Sequence, residues 1–123
     1  MTILYPIFSI FFVSIFSVFT AEIDAEHINN GQYIKDHRSR FKQRFYAMTP
    51  FLLVNPMYFL ASGMLFWVVF EIALNLMIKQ KPFYIGNTAD TDKFFRKHVW
   101  LHRSLKVICL TGAFVLYFYE FLN

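Results

Sequence analysis

The sequence predicts an all-α membrane protein with three transmembrane helices and a short amphipathic surface helix in the second loop. Hydrophobic residues make up 57% of the 123 residues and charged residues only 16%, whereas soluble domains carry about 25% charged residues. Three apolar runs, at residues 3–21, 57–78 and 107–122, have the length of membrane spans. We therefore interpret residues 1–123 as a single membrane domain.

The first run contains no charged residue. At a rise of 1.5 Å per residue its length is about 28 Å, close to the thickness of the hydrocarbon layer. A secretory signal peptide is the alternative interpretation. No basic residue precedes the run, however, and Phe19 is too bulky for the position three residues before a cut after Ala21. We expect a retained transmembrane helix.

The second run begins irregularly because Pro50 and Pro56 interrupt it. The helix is therefore predicted over residues 57–78, and residues 51–55 are predicted to form a re-entrant or interfacial lead-in. The preceding loop, residues 22–48, begins acidic and becomes basic, with aromatic residues among its cations. Such a composition is typical of a segment at the membrane interface.

The second loop extends over residues 79–106, and its part from residue 92 to 106 predicts an amphipathic surface helix anchored by aromatic residues such as Trp100. Three spans would place the two loops on opposite faces of the membrane. The first loop contains five Lys and Arg residues and the second contains seven. With the loops on opposite faces, this difference is too small for the positive-inside rule to predict an orientation.

Glu71 is the residue that most strongly indicates a function. It falls well inside the second predicted helix, where an ionised carboxylate costs several kcal/mol unless it is paired or protonated. Every Lys and Arg lies in a predicted loop, so we expect either a counter-charge from another subunit or a carboxylate that is protonated part of the time. Asn75, one turn later, is a candidate hydrogen-bond partner. Two roles remain open: a proton path, or a structural pair with a neighbouring subunit.

His98 and His102 are four residues apart, on one face of the predicted surface helix. Such a pair can chelate a metal or direct one histidine towards a haem. No carboxylate or cysteine beside them completes a metal site, so we expect interfacial histidines and no bound metal. The sequence also lacks the common catalytic motifs. A subunit that depends on partners is therefore favoured over an enzyme that acts alone.

Three short segments resemble subunit 3 of mitochondrial NADH:ubiquinone oxidoreductase, complex I. In that family an acidic residue, Arg-Ser-Arg-Phe and Arg-Phe-Tyr lead into the second helix, Glu-Ile-Ala lies within that helix, and Tyr-Glu-Trp lies near the C-terminus. The matching segments are DHRSRFKQRFY at residues 36–46, FEIAL at residues 70–74 and YEF at residues 119–121. The family's Glu-Cys-Gly-Phe signature is missing from the first loop.

The resemblance implies a membrane subunit of complex I in the mitochondrial inner membrane. It implies that Glu71 takes part in the proton path, and that Arg38, Arg40 and Arg44 lie near the quinone cavity. Ubiquinone would then bind to the parent complex, and this chain alone would hold no cofactor. The expected partners are other membrane subunits and lipids, including cardiolipin, and not nucleic acid. The 17 phenylalanines also fit the AT-rich codons of many organelle genomes.

Two alternatives belong to other classes of protein. The first is a membrane anchor of succinate dehydrogenase, which also has three helices and a histidine beside a haem b. The segment HVWLHRS at residues 98–104 faintly resembles it, with His98 and His102 as the haem candidates. The second alternative is a lineage-specific accessory subunit without chemistry, in a respiratory complex or in ATP synthase.

Overall fold

The computed structural model describes residues 3–31, 37–81 and 90–121, without the side chains of residues 37–41, 90–92 and 120. The described residues are almost entirely helical and include no strand. They form the helices α1 Leu4–Asn29, α2 His37–Met48, α3 Pro50–Val54, α4 Pro56–Met77, α5 Asp90–Lys97 and α6 Val99–Tyr117, followed by a 3-10 turn at Tyr119–Phe121.

Helices α1, α4 and α6 are long and apolar enough to cross a membrane, which confirms the predicted fold class. Two of them extend into the predicted loops. Helix α1 ends at Asn29 instead of residue 21, and α6 begins at Val99 instead of residue 107. Both extensions carry charged residues that are buried in the bundle, among them Asp24 and Lys106. Hydropathy assigns such residues to loops because it cannot detect their partners.

The predicted surface helix at residues 92–106 is present only in its first half. Helix α5 ends at Lys97, and His98 interrupts the helical backbone with φ −129° and ψ 61°. The remaining part of the predicted helix belongs to the long helix α6. Lys93 and Phe94 of α5 are both exposed, as in an amphipathic helix at an interface.

Helices α4 and α6 pack in antiparallel directions. Near the start of α4, the Tyr58 ring packs edge-on against Tyr117, near the end of α6, with 5.5 Å between the ring centroids. Near the end of α4, the Glu71 carboxylate lies 2.7 Å from the Lys106 ammonium, in the second turn of α6. Gly112 lies midway, where a Cβ would come within 2.8 Å of the flexible end of the Met64 side chain on α4.

Helices α1 and α4, in contrast, run in parallel. The Phe16 and Phe66 rings pack with centroids 5.7 Å apart. Further along both helices, Ala25 and Asn29 of α1 line the same cleft as Met77, the last residue of α4. The connections that follow α1 and α4 therefore leave the bundle at the same end. This arrangement contradicts the expectation that the two loops lie on opposite faces.

Because α1 and α4 are parallel, the segment that connects them must extend from the end of α1 to the start of α4 at the opposite end of the bundle. Helices α2 and α3 form this segment. Met48 of α2 is 4% exposed and belongs to the hydrophobic core. The Phe51 ring of α3 packs against Phe12 of α1, with 5.9 Å between centroids. Asn55 then starts α4 in extended backbone, and its side chain accepts a hydrogen bond from the next helix. The predicted lead-in is thus a short helix packed between α1 and α4.

Small residues line the helix contacts. Ala21, Ala61 and Ala113, one from each long helix, are all 0% exposed. Small side chains let helix backbones approach closely, which is how membrane helices gain packing energy where the hydrophobic effect contributes little between helices.

Candidate functional site: a charge cluster between two helices

The Glu71 carboxylate contacts three polar side chains of the same chain. The Lys106 ammonium lies 2.7 Å from Glu71 Oε2, and His102 Nε2 lies 3.3 Å from the same oxygen. The indole N–H of Trp67 donates a hydrogen bond of 3.0 Å to Oε1. The expectation that any counter-charge must come from another subunit is therefore wrong.

Helical spacing explains how these four residues meet. Trp67 and Glu71 are four residues apart on α4, and His102 and Lys106 are four residues apart on α6. Side chains at this spacing lie on the same face of a helix, one above the other. Each helix therefore presents one polar pair to the other. We define these four residues as the charge cluster.

The charge cluster is enclosed on its basic side and open on its acidic side. The side chains of Lys106 and His102 are 1% and 3% exposed, whereas that of Glu71 is 29% exposed. The carboxylate is therefore the group that another protein group, a water molecule or a lipid headgroup can approach from outside the bundle.

Aromatic rings surround the basic side. The Phe95 ring lies 4.8 Å from the His102 ring, and Trp67 meets His102 edge-on at 6.1 Å. The Lys106 ammonium also lies 5.9 Å from the centre of the Trp67 ring. These rings exclude water, and a low local dielectric strengthens the attraction between opposite charges.

The sequence does contain a signal for this site. His102, Lys106, Ala113 and Tyr117 are buried on α6, and their spacings of four, seven and four residues form one helical stripe. The membership of His102 and Lys106 in this stripe indicates that they face α4. Average hydropathy does not detect the stripe, because both residues are polar.

The two histidines do not share one helix face as predicted. His98 precedes α6, and its Nδ1 lies 3.1 Å from the carbonyl oxygen of Phe94. The buried His102 contacts Glu71, so binding to a haem iron would require this contact to break. Among the described residues, no group of three or more His, Cys, Asp or Glu side chains could hold a metal ion.

A second ion pair joins α1 and α2. The Arg44 guanidinium donates a hydrogen bond of 2.9 Å to Asp24, whose side chain is 6% exposed. Its central carbon also lies 4.2 Å from the centre of the Phe70 ring and 5.5 Å from that of Phe66. The Arg44 side chain thus extends into the bundle and packs against the aromatic rings of α4.

Several predicted site residues lie outside this description. The side chains of Arg38 and Arg40 are not among those that the structure describes, so their predicted roles stay predictions. Asn75 is buried on α4, and its hydrogen bond to Glu71 also stays a prediction.

The three long apolar helices define a multi-pass membrane protein. Comparisons with protein families, with curated proteins and with solved structures find no significant match.

Proposed function

We propose that this chain is a membrane subunit of a mitochondrial respiratory-chain complex, complex I in particular, in which Glu71 exchanges protons with a group outside the chain. One observation carries the proposed role of Glu71: its carboxylate is partly exposed, while its ammonium and imidazole partners are almost fully enclosed. The chain itself would catalyse no reaction. Ubiquinone would bind to the parent complex.

The charge cluster has the chemistry for proton exchange. A carboxylate and an imidazole can each accept or release a proton near neutral pH when their environment changes. In this low-dielectric setting, a negative charge that appears beside the exposed face of Glu71 would oppose the field of Lys106 and disfavour the ionised carboxylate. A proton could then bind the carboxylate, and it would leave when the external charge disappears. Intramembrane carboxylates often serve as proton relays of this kind.

The assignment to complex I comes from the sequence motifs. Glu71 falls in the segment FEIAL, and Arg44 falls in the segment DHRSRFKQRFY, both of which resemble subunit 3 of that complex. Arg44 pairs with Asp24 inside the bundle, so in the proposed subunit it would fix the path of α2. The neighbouring Arg38 and Arg40 would be the residues closer to the quinone cavity.

Purification from native membranes tests the assignment. A tagged chain extracted in mild detergent should migrate with complex I on native gels, in a band with NADH dehydrogenase activity. Migration with succinate dehydrogenase, together with a haem absorption band that His102→Ala removes, would support the anchor alternative. Migration with ATP synthase would support the accessory subunit. Each of these two outcomes would refute the proposal.

A structural clamp is the second candidate role, and the 2.7 Å contact between Glu71 and Lys106 favours it. In that case the pair holds α4 against α6 and takes no part in proton movement. The two roles differ in the reversed pair, Glu71→Lys with Lys106→Glu. A clamp predicts that reversal restores both assembly and turnover of the parent complex. Proton exchange predicts restored assembly with slow proton-coupled turnover, because the carboxylate then lies on the enclosed side.

Glu71→Gln provides the simpler comparison, with Glu26→Gln as a matched control because Glu26 is an exposed carboxylate on α1. Proton exchange predicts that Glu71→Gln slows turnover in those complexes that assemble, whereas the control has no effect. Full assembly with full proton pumping in Glu71→Gln would exclude both roles.

A further inference from the structure

The basic residues are concentrated at one end of the helical bundle. Because α1 and α4 are parallel and α6 is antiparallel to them, the ends of α1 and α4 and the start of α6 lie together. We call this the charged end. Every Lys and Arg whose side chain the structure describes belongs to it: Lys42, Arg44, Lys79, Lys81, Lys93, Arg96, Lys97, Arg103 and Lys106.

The opposite end carries no such charge. It contains the start of α1 at Leu4, the junction between α3 and α4 at Asn55, and the end of α6 at Tyr117. The sequence has no Lys or Arg in residues 1–34, 45–78 or 107–123. The two ends therefore differ far more in their number of Lys and Arg residues than the two loops do when they are placed on opposite faces.

The distance between the two ends fits a bilayer. Leu4 to Ala21 of α1 is a charge-free segment, and at 1.5 Å per residue its length is about 27 Å, close to the hydrocarbon thickness of about 30 Å. On α4 the corresponding segment ends near Glu71, which pairs with Lys106. The charge cluster thus lies near the edge of the apolar layer, on the side of the charged end.

We propose that the chain crosses the membrane four times, with α2 and α3 together as a broken second crossing. The charged end then faces the mitochondrial matrix, or the cytoplasm if the protein is bacterial, because segments rich in Lys and Arg are retained on that side. There it meets anionic lipid headgroups, with exposed aromatic residues such as Trp100 at 69% exposure. This inference does not depend on the identity of the parent complex.

Both breaks of the broken crossing carry a local side-chain hydrogen bond, and unpaired polar backbone groups are costly in a membrane. The Thr49 hydroxyl donates to the carbonyl of Phe45 at the break between α2 and α3. At the second break, the Asn55 side chain accepts a hydrogen bond of 2.9 Å from the backbone N–H of Met57. Arg44, the described cation that lies deepest along α2, is paired with a carboxylate and covers aromatic rings.

Single-cysteine labelling tests the topology in the full-length chain. In a Cys109→Ser background, Asn30→Cys and Gln80→Cys place exposed thiols after α1 and after α4, and Tyr119→Cys places one after α6. A membrane-impermeant maleimide is applied to sealed native vesicles of each orientation. We expect the first two thiols to react only from the matrix or cytoplasmic side, and the third only from the opposite side.

Two results would overturn the proposal. Reaction of Asn30→Cys and Gln80→Cys from opposite sides would show three crossings. Reaction of both from the side opposite the matrix or cytoplasm would refute the orientation. Leu65→Cys is the control for a folded bundle, because Leu65 is 2% exposed and should stay unlabelled from either side as long as the helices remain packed. Native-gel migration like that of the parent chain selects the variants that fold.

Discussion

The pairing of Glu71 with Lys106 leads to an unequal effect of the two single substitutions. Glu71→Gln removes the carboxylate that pairs with the Lys106 ammonium, whose side chain is 1% exposed, and breaking a buried pair in this way costs about 3–5 kcal/mol. Lys106→Met leaves a carboxylate that is 29% exposed and still contacts His102 and Trp67. The loss should then be smaller, about 1–2 kcal/mol.

The double variant should be less damaged than Glu71→Gln alone. Replacing both members of a buried ion pair by neutral groups of similar volume is often close to neutral. We therefore expect Glu71→Gln with Lys106→Met to recover at least about 2 kcal/mol relative to Glu71→Gln, a coupling within the range of contacting residues. The free energy difference can be compared through the melting temperature of the tagged chain in mild detergent. Additive losses in the double variant would refute direct pairing.

Three other contacts give predictions that the same melting measurement checks. Tyr117→Phe removes a buried hydrogen bond of 2.6 Å to Ser62 and should cost about 1–2 kcal/mol, with no further loss when Ser62→Ala is added. Arg44→Gln removes the guanidinium that pairs with the Asp24 carboxylate, whose side chain is 6% exposed, so it should destabilise the chain more than Asp24→Asn does; equal effects would contradict this. Asn55→Ala removes the cap of α4 and should cost about 1 kcal/mol, so an unchanged melting temperature would show that the cap is dispensable.

The sequence predicted the class of fold because hydropathy over a long window depends little on tertiary contacts. It did not predict the direction of α1 relative to α4, since each apolar run was assumed to alternate across the membrane. The short helix α3, with Pro50 in its first turn, is too short to be predicted as a transmembrane segment. Packing of Phe51 and Met48 against the bundle determines the return path, and such contacts leave no periodic pattern.

The candidate site was predicted in part. The sequence identifies Glu71 as a candidate because a charged residue within an apolar run is energetically costly. This feature can be recognised from the neighbouring residues alone. Its partners were assigned to a loop, since His102 and Lys106 raise the polarity at the start of α6. A search for residues four apart that could complement Glu71 would have found them. The sequence-based assignment of His102 and Lys106 to a loop differs from the structure because the burial of a charged residue depends on its partner on another helix.

The central structural claim is that α1 and α4 run in parallel, because the charged end and the broken crossing both follow from it. Cross-linking in native membranes with a short bis-maleimide tests it directly, in a Cys109→Ser background. Ala25→Cys with Met77→Cys joins two residues that line one cleft, whereas Ala25→Cys with Met57→Cys joins residues that would be close only if the helices were antiparallel. We predict a cross-link within the chain for the first pair and none for the second, and the reverse result would contradict the account.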